Sequence, residues 1–88
     1  MKGEPRDIRV KRMRIRAWRR GTKEMDLILG GHADRHLAAM GDADLDLFEA
    51  ALGEADHDLY AWVSGAATPP DRYAALMDVL AAESRIPR

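Results

Sequence analysis

The chain has 88 residues, with 14 basic and 15 acidic side chains, no cysteine and a formal net charge of −1. This length makes one small domain that buries only about 60–65% of the surface its unfolded chain exposes, with no room for a dinucleotide-binding sheet beside a substrate domain. The lack of cysteine excludes disulfides, thiolate metal sites and thiol nucleophiles, and aliphatic blocks such as Leu27-Ile28-Leu29 fall far short of the roughly 20 apolar residues that span a bilayer.

The near-neutral total hides a division. The first twenty residues hold nine Lys/Arg against two acids, and the remainder holds five against thirteen. A basic front on an acidic body fits nucleic-acid contact, recognition of an acidic protein surface, or internal compensation. The basic start includes Glu4 and Asp7 and no apolar signal segment, so residence in the bacterial cytoplasm is the expectation.

In chain order, Pro5 suits a first helical turn, and the stretch after it, free of Pro and Gly, predicts a first helix over about 6–19. At 100° per residue, Arg9, Arg12, Arg16, Arg19 and Arg20 fall in one stripe whose mutual repulsion calls for an anionic surface opposite. Gly21 can close this helix in the left-handed conformation, and Thr22 can cap a second helix over about 23–39, with Glu24 favoured in its first turn by the helix dipole. Gly30 and Gly31 weaken its middle and predict a kink or a close helix contact.

The segment Gly41-Asp42-Ala43-Asp44 predicts a capped restart and a third helix over about 43–52, ended by Gly53. Asp56 is read as the cap of a short fourth helix ended by Gly65, and a fifth runs over about 71–83 before a frayed tail containing Pro87. The expected fold is all-α: a single domain over 1–88, built as a compact five-helix bundle with short connections and an ordered core over about 6–83. Its core is expected around Ile28, Leu29, Phe48, Leu52, Leu59, Trp62, Leu76 and Leu80. Burial is expected for Trp62, whereas Trp18 suits core and partner contact equally.

The stretch Arg19-Arg20-Gly21-Thr22-Lys23-Glu24-Met25-Asp26 is physically a convex helix–helix corner. It joins a guanidinium, a glycine that blocks no approach and carboxylates near a helix N-terminus. Spacing alone favours the plainer reading, a helix stop with solvated neighbours. Arg20-Gly21-Thr22-Lys23-Glu24 also matches the RGxxE signature of the SdhE (YgfY-type) FAD assembly factors. Met25-Asp26-Leu27-Ile28-Leu29, Phe48-Glu49, the 56–62 segment Asp-His-Asp-Leu-Tyr-Ala-Trp and the turn from Gly65 to Pro70 resemble that family's later landmarks, covering about residues 7–80. One departure is His32, where the family commonly carries an aromatic residue.

The resemblance implies an assembly factor rather than an enzyme. Such a factor binds the flavoprotein subunit of succinate dehydrogenase, or in some bacteria of fumarate reductase, and promotes covalent attachment of FAD to a histidine of that subunit. It implies a partner surface centred on Arg20, Gly21 and Glu24, with Arg16, Trp18, Arg19 and Asp26 beside them. It implies no stably bound cofactor, since FAD goes to the partner; a free factor that is monomeric is the expectation, though the sequence does not decide it.

Three other readings compete. The arginine stripe suits nucleic-acid binding through counterion release, though thirteen acids and the lack of a recognition helix or stacking platform weigh against it. Some members of the family are also described as antitoxin-like partners of a small membrane protein, which no residue here supports independently. His32 and His36 stand at i, i+4 as metal ligands would, but Ala33 occupies the glutamate position of an HExxH site and no third ligand is identifiable, so no metal is expected.

Overall fold

The computed structural model describes residues 3–87. Five α-helices follow one another: α1 (Arg6–Trp18), α2 (Lys23–His36), α3 (Asp42–Leu52), α4 (Asp56–Ser64) and α5 (Ala74–Glu83). Single 3₁₀ turns at Leu37–Ala39 and Asp71–Tyr73 extend the end of α2 and lead into α5. No strand occurs among the described residues, so the all-α reading holds, with the ends of the expected second helix and the start of the fifth tightened to 3₁₀ geometry.

Helix α1 packs chiefly on α2 and also on α3, while α5 packs on α2 and α4. Met13 and Ala17 of α1, Ile28, Leu29 and Ala33 of α2, Phe48 and Leu52 of α3, Leu59 and Val63 of α4, and Tyr73, Met77 and Leu80 near the C-terminal end form one buried cluster. Of the eight expected core residues, Trp62 and Leu76 are only partly buried against it. The Trp62 ring instead stacks on Tyr73, centroids 5.8 Å apart, with the tyrosine taking the deeper position.

The caps follow a simpler rule than the sequence suggests. Asp56 does not cap α4: the N-cap is Ala55, and Asp56 and Asp58 occupy the first turn. Gly41 likewise takes the N-cap of α3, with Asp42 and Asp44 in the first turn. A carboxylate one residue inside a helix still faces unpaired N–H groups and the positive end of the dipole, so the aspartates serve the helix start without a cap bond. Gly65 closes α4 in the left-handed region at φ 83°.

After α5 the chain turns back on the helix end. Arg85 takes φ 55°, its N–H donates to Ala82 O (3.3 Å) and the Ile86 N–H to Ala81 O (3.0 Å), the paired bonds of a Schellman closure. Ile86 then packs against the core.

Gly30 marks a contact, not a kink, because α2 is continuous through it. A Cβ there would stand 2.2 Å from the Trp18 ring, so only glycine lets the indole lie on the helix backbone. Trp18 Nε1 donates to Asp34 Oδ1 (3.2 Å) one turn further along.

Candidate functional site

The corner between α1 and α2 is built as its residues require. Gly21 sits at φ 99°, a conformation that costs an L side chain about 1–3 kcal/mol. Space is not the constraint, since a Cβ at Gly21 would meet nothing within 4 Å. Thr22 is the N-cap of α2, its Oγ1 accepting from the Met25 N–H (3.3 Å). Asp26 reaches back so that its Oδ1 accepts the Arg20 N–H (2.7 Å). Two side chains thus satisfy backbone donors on either side of the glycine.

Arg20 faces inward. Its side chain is 12% exposed. Nε donates to Asp56 Oδ1 (2.8 Å), Nη1 to the Leu52 carbonyl (2.6 Å) and Nη2 to the Glu54 carbonyl (2.8 Å). The guanidinium fork therefore closes the C-terminal end of α3, pairs with the first turn of α4 and welds the corner to the α3–α4 joint. The same joint is gripped from the far side, where Tyr73 Oη donates to Glu54 Oε2 (2.9 Å) and Arg72 lies over the Tyr73 ring.

The sequence-derived site therefore divides. Arg19, Gly21 and Glu24 are exposed. Arg20 and Asp26 make their bonds within the chain. The acceptors of the Arg20 fork, two helix-end carbonyls and a carboxylate, lie in the same molecule. Arg16 leans toward Glu49 (3.9 Å), and Trp18 is half-buried on Gly30.

An open groove of about 550 Å³ runs from Trp18 and Glu24 along Leu27 to Tyr60. Leu27 and Tyr60 are 54% and 39% exposed, large apolar surface directly beside the corner. Sequence reading assigned neither of them a site role. Leu27 carries a signal only in hindsight, because it stands off the apolar face that Met25, Ile28 and Leu29 define.

The arginine stripe is answered within the molecule. Arg9 pairs with Asp46 (2.6 Å) and Glu49 (2.9 Å), and Arg12 with Glu4 (2.9 Å) and Glu49 (2.7 Å). Arg6 pairs with Asp42 (3.3 Å) and donates to the Met40 carbonyl. The acids of α3 are an anionic surface facing Arg9 and Arg12 of the stripe, while Arg19 stays exposed. The hydrogen bond from Arg12 is the chief cause holding the Glu49 carboxyl below its usual pKa; burial works against it and Arg9 adds to it. Arg12 is raised in turn by Glu4 and Glu49.

At the other end of α2, His32 and His36 are joined by a residue absent from the sequence reading. Glu83 of α5 places Oε1 2.8 Å from His32 Nδ1 and Oε2 2.5 Å from His36 Nε2. Nothing local announces Glu83, which lies 51 and 47 residues downstream. His32 lies over Phe48, ring centroids 5.2 Å apart. Burial pushes His32 down in pKa against the pull of Glu83.

Among the described residues no helix is long and apolar enough to cross a membrane. No curated protein matches the sequence at a significant level. A family model described as the flavinator of succinate dehydrogenase matches residues 11–84. That span contains the glycine corner, its arginine weld, the α3–α4 joint and all of α5, so the match covers the architecture as a whole, and by it the chain belongs to the flavinator of succinate dehydrogenase family.

Proposed function

We propose that this chain docks onto the flavoprotein subunit of succinate dehydrogenase through the α1–α2 corner and promotes the covalent attachment of FAD to that subunit. The reading is supported by family membership and carried by one geometric observation: Gly21 and Glu24 are exposed on a corner that Arg20 holds rigid from beneath. A bare glycine lets a second backbone approach closely, and Glu24 offers a carboxylate to donors on the partner. Arg19 adds a cation beside it, and Leu27 and Tyr60 supply the apolar contact that interfaces concentrate near their centres.

In this reading the chain is not the catalyst. Attachment through the flavin methyl group needs a histidine of the partner in attack geometry while the isoalloxazine carries developing negative charge. A factor that binds the competent partner conformation more tightly shifts the population toward it. FAD is then cargo of the partner rather than a resident group of this chain, and the working compartment is the cytoplasm. A fumarate reductase flavoprotein subunit is the second candidate partner, distinguished by the same assay.

The test is co-expression of the chain with each candidate flavoprotein subunit, followed by denaturing electrophoresis and in-gel flavin fluorescence, which reads only covalent flavin. The chain is expected to raise the flavin signal of the succinate dehydrogenase subunit several-fold. An unchanged signal with both subunits overturns the proposal.

A further inference from the structure

We propose that His32, His36 and Glu83 form a binding site for one divalent transition-metal ion of the zinc type, which ties the end of α2 to the end of α5. Their donor atoms all lie within 4.8 Å of one another, against a separation of about 3.3 Å between ligands of a tetrahedral zinc with bonds of about 2.0–2.1 Å. The carboxylate already presents a different oxygen to each ring, at 2.8 Å and 2.5 Å. Two imidazoles and one carboxylate form a borderline donor set suited to zinc, cobalt or nickel and poorly suited to magnesium or calcium, which take oxygen ligands.

The supporting structure is that of a site with a fixed side and an open side. His32 is 5% exposed and its ring rests against Phe48. The His36 side chain is 43% exposed, so its ring can rotate to close the donor triangle without a backbone shift. A cavity of about 420 Å³ opens onto both histidines between the end of α2, α3 and α5, with Asp44 on its wall. Glu83 borders the neighbouring groove, so the three donors stand between two solvent-open spaces from which a water can fill the fourth position. Arg35 Nη1 lies 3.5 Å from Glu83 Oε1 and is the one cation facing the site among the described pairs; at 54% side-chain exposure it can swing into solvent when an ion enters.

Glu83 also borders the groove beside the docking corner, but the test of the site needs no partner. Tag-free protein is titrated with zinc chloride by calorimetry and with cobalt chloride by visible absorption. One ion per chain is expected, with Kd tighter than about 100 μM and the intense visible bands of a four-coordinate cobalt centre. His36→Ala and Glu83→Gln are each expected to weaken binding at least tenfold, whereas His57→Ala, on the exposed face of α4, leaves it unchanged. Circular dichroism checks that each variant folds. Should Glu83→Gln fail to fold, His36→Ala carries the test alone. Absence of saturable one-to-one binding in that range, or binding that survives His36→Ala unweakened, overturns the proposal.

Discussion

Two sets of arginines leave α1 and meet opposite fates. Arg9 and Arg12, in the middle of the helix, share Glu49 with Glu4 and Asp46 in a network open to water, with side chains 22% and 41% exposed. Arg20, just past the helix end, turns under the corner and gives its fork to two backbone carbonyls and Asp56. The first set neutralises charge between neighbouring helices, and exposed pairs of that kind contribute little each and weaken with salt. The second replaces missing helix-end bonds in a place water reaches poorly, where a lost donor leaves acceptors unsatisfied. Charge density along the sequence therefore does not separate the two roles: Arg9 and Arg12 of the stripe are compensation, and its last member, Arg20, supports the corner.

The largest effect that would break this contrast is Arg20→Ala. It is expected to lower unfolding free energy by about 2–4 kcal/mol, read by urea denaturation, because the Leu52 and Glu54 carbonyls and the Asp56 carboxylate lose their donors together. Arg20→Lys should recover only part, since an ammonium cannot reproduce the fork. If Arg9→Ala costs as much as Arg20→Ala, the two sets are not different in kind.

Next come the paired glycines of α2. Gly30→Ala is expected to destabilise by about 1–3 kcal/mol and to shift Trp18 fluorescence, because its methyl group must displace the indole. Gly31→Ala meets only the flexible end of Arg35, at 3.4 Å, and is expected to gain up to about 1 kcal/mol from helix propensity. Equal effects at the two positions would contradict the packing of Trp18.

The smallest effect sharpens the charge network. The folded chain holds the Glu49 carboxyl below its usual pKa, so the unfolded state takes up the proton first as pH falls. The stability this provides is fully present above the unfolded value of about 4.3 and is lost as pH falls through the lower folded value. Glu49→Gln is expected to flatten that acid limb by no more than about 1 kcal/mol, and raised salt should diminish the difference. An unchanged acid limb in this variant would mean that the network contributes nothing to stability.

What the sequence could convey depended on range. The glycine stop, the Thr22 cap and the helix order are local events, fixed by residues within one turn of each other, and they were legible. The partners of Arg20 lie 32–36 residues away, and Glu83 lies farther still from the histidines it joins. Such pairings follow from how helices stack, which periodicity alone does not specify. Gly30 was legible as exceptional, but whether it bends a helix or admits an indole was decided by Trp18 from another element. The aspartates at the starts of α3 and α4 were misplaced by one residue because a carboxylate suits the N-cap and the first turn for the same electrostatic reason.

The central claim is that the exposed half of the corner serves another protein while the buried half serves the fold. Glu24 separates the two, being exposed and engaged in no ion pair among the described residues. Glu24→Ala should leave the unfolding free energy from urea denaturation within about 0.5 kcal/mol of the parent, yet covalent flavin in a co-expressed succinate dehydrogenase flavoprotein subunit should fall at least tenfold. A folded Glu24→Ala chain that supports the parental level of covalent flavin would contradict the account.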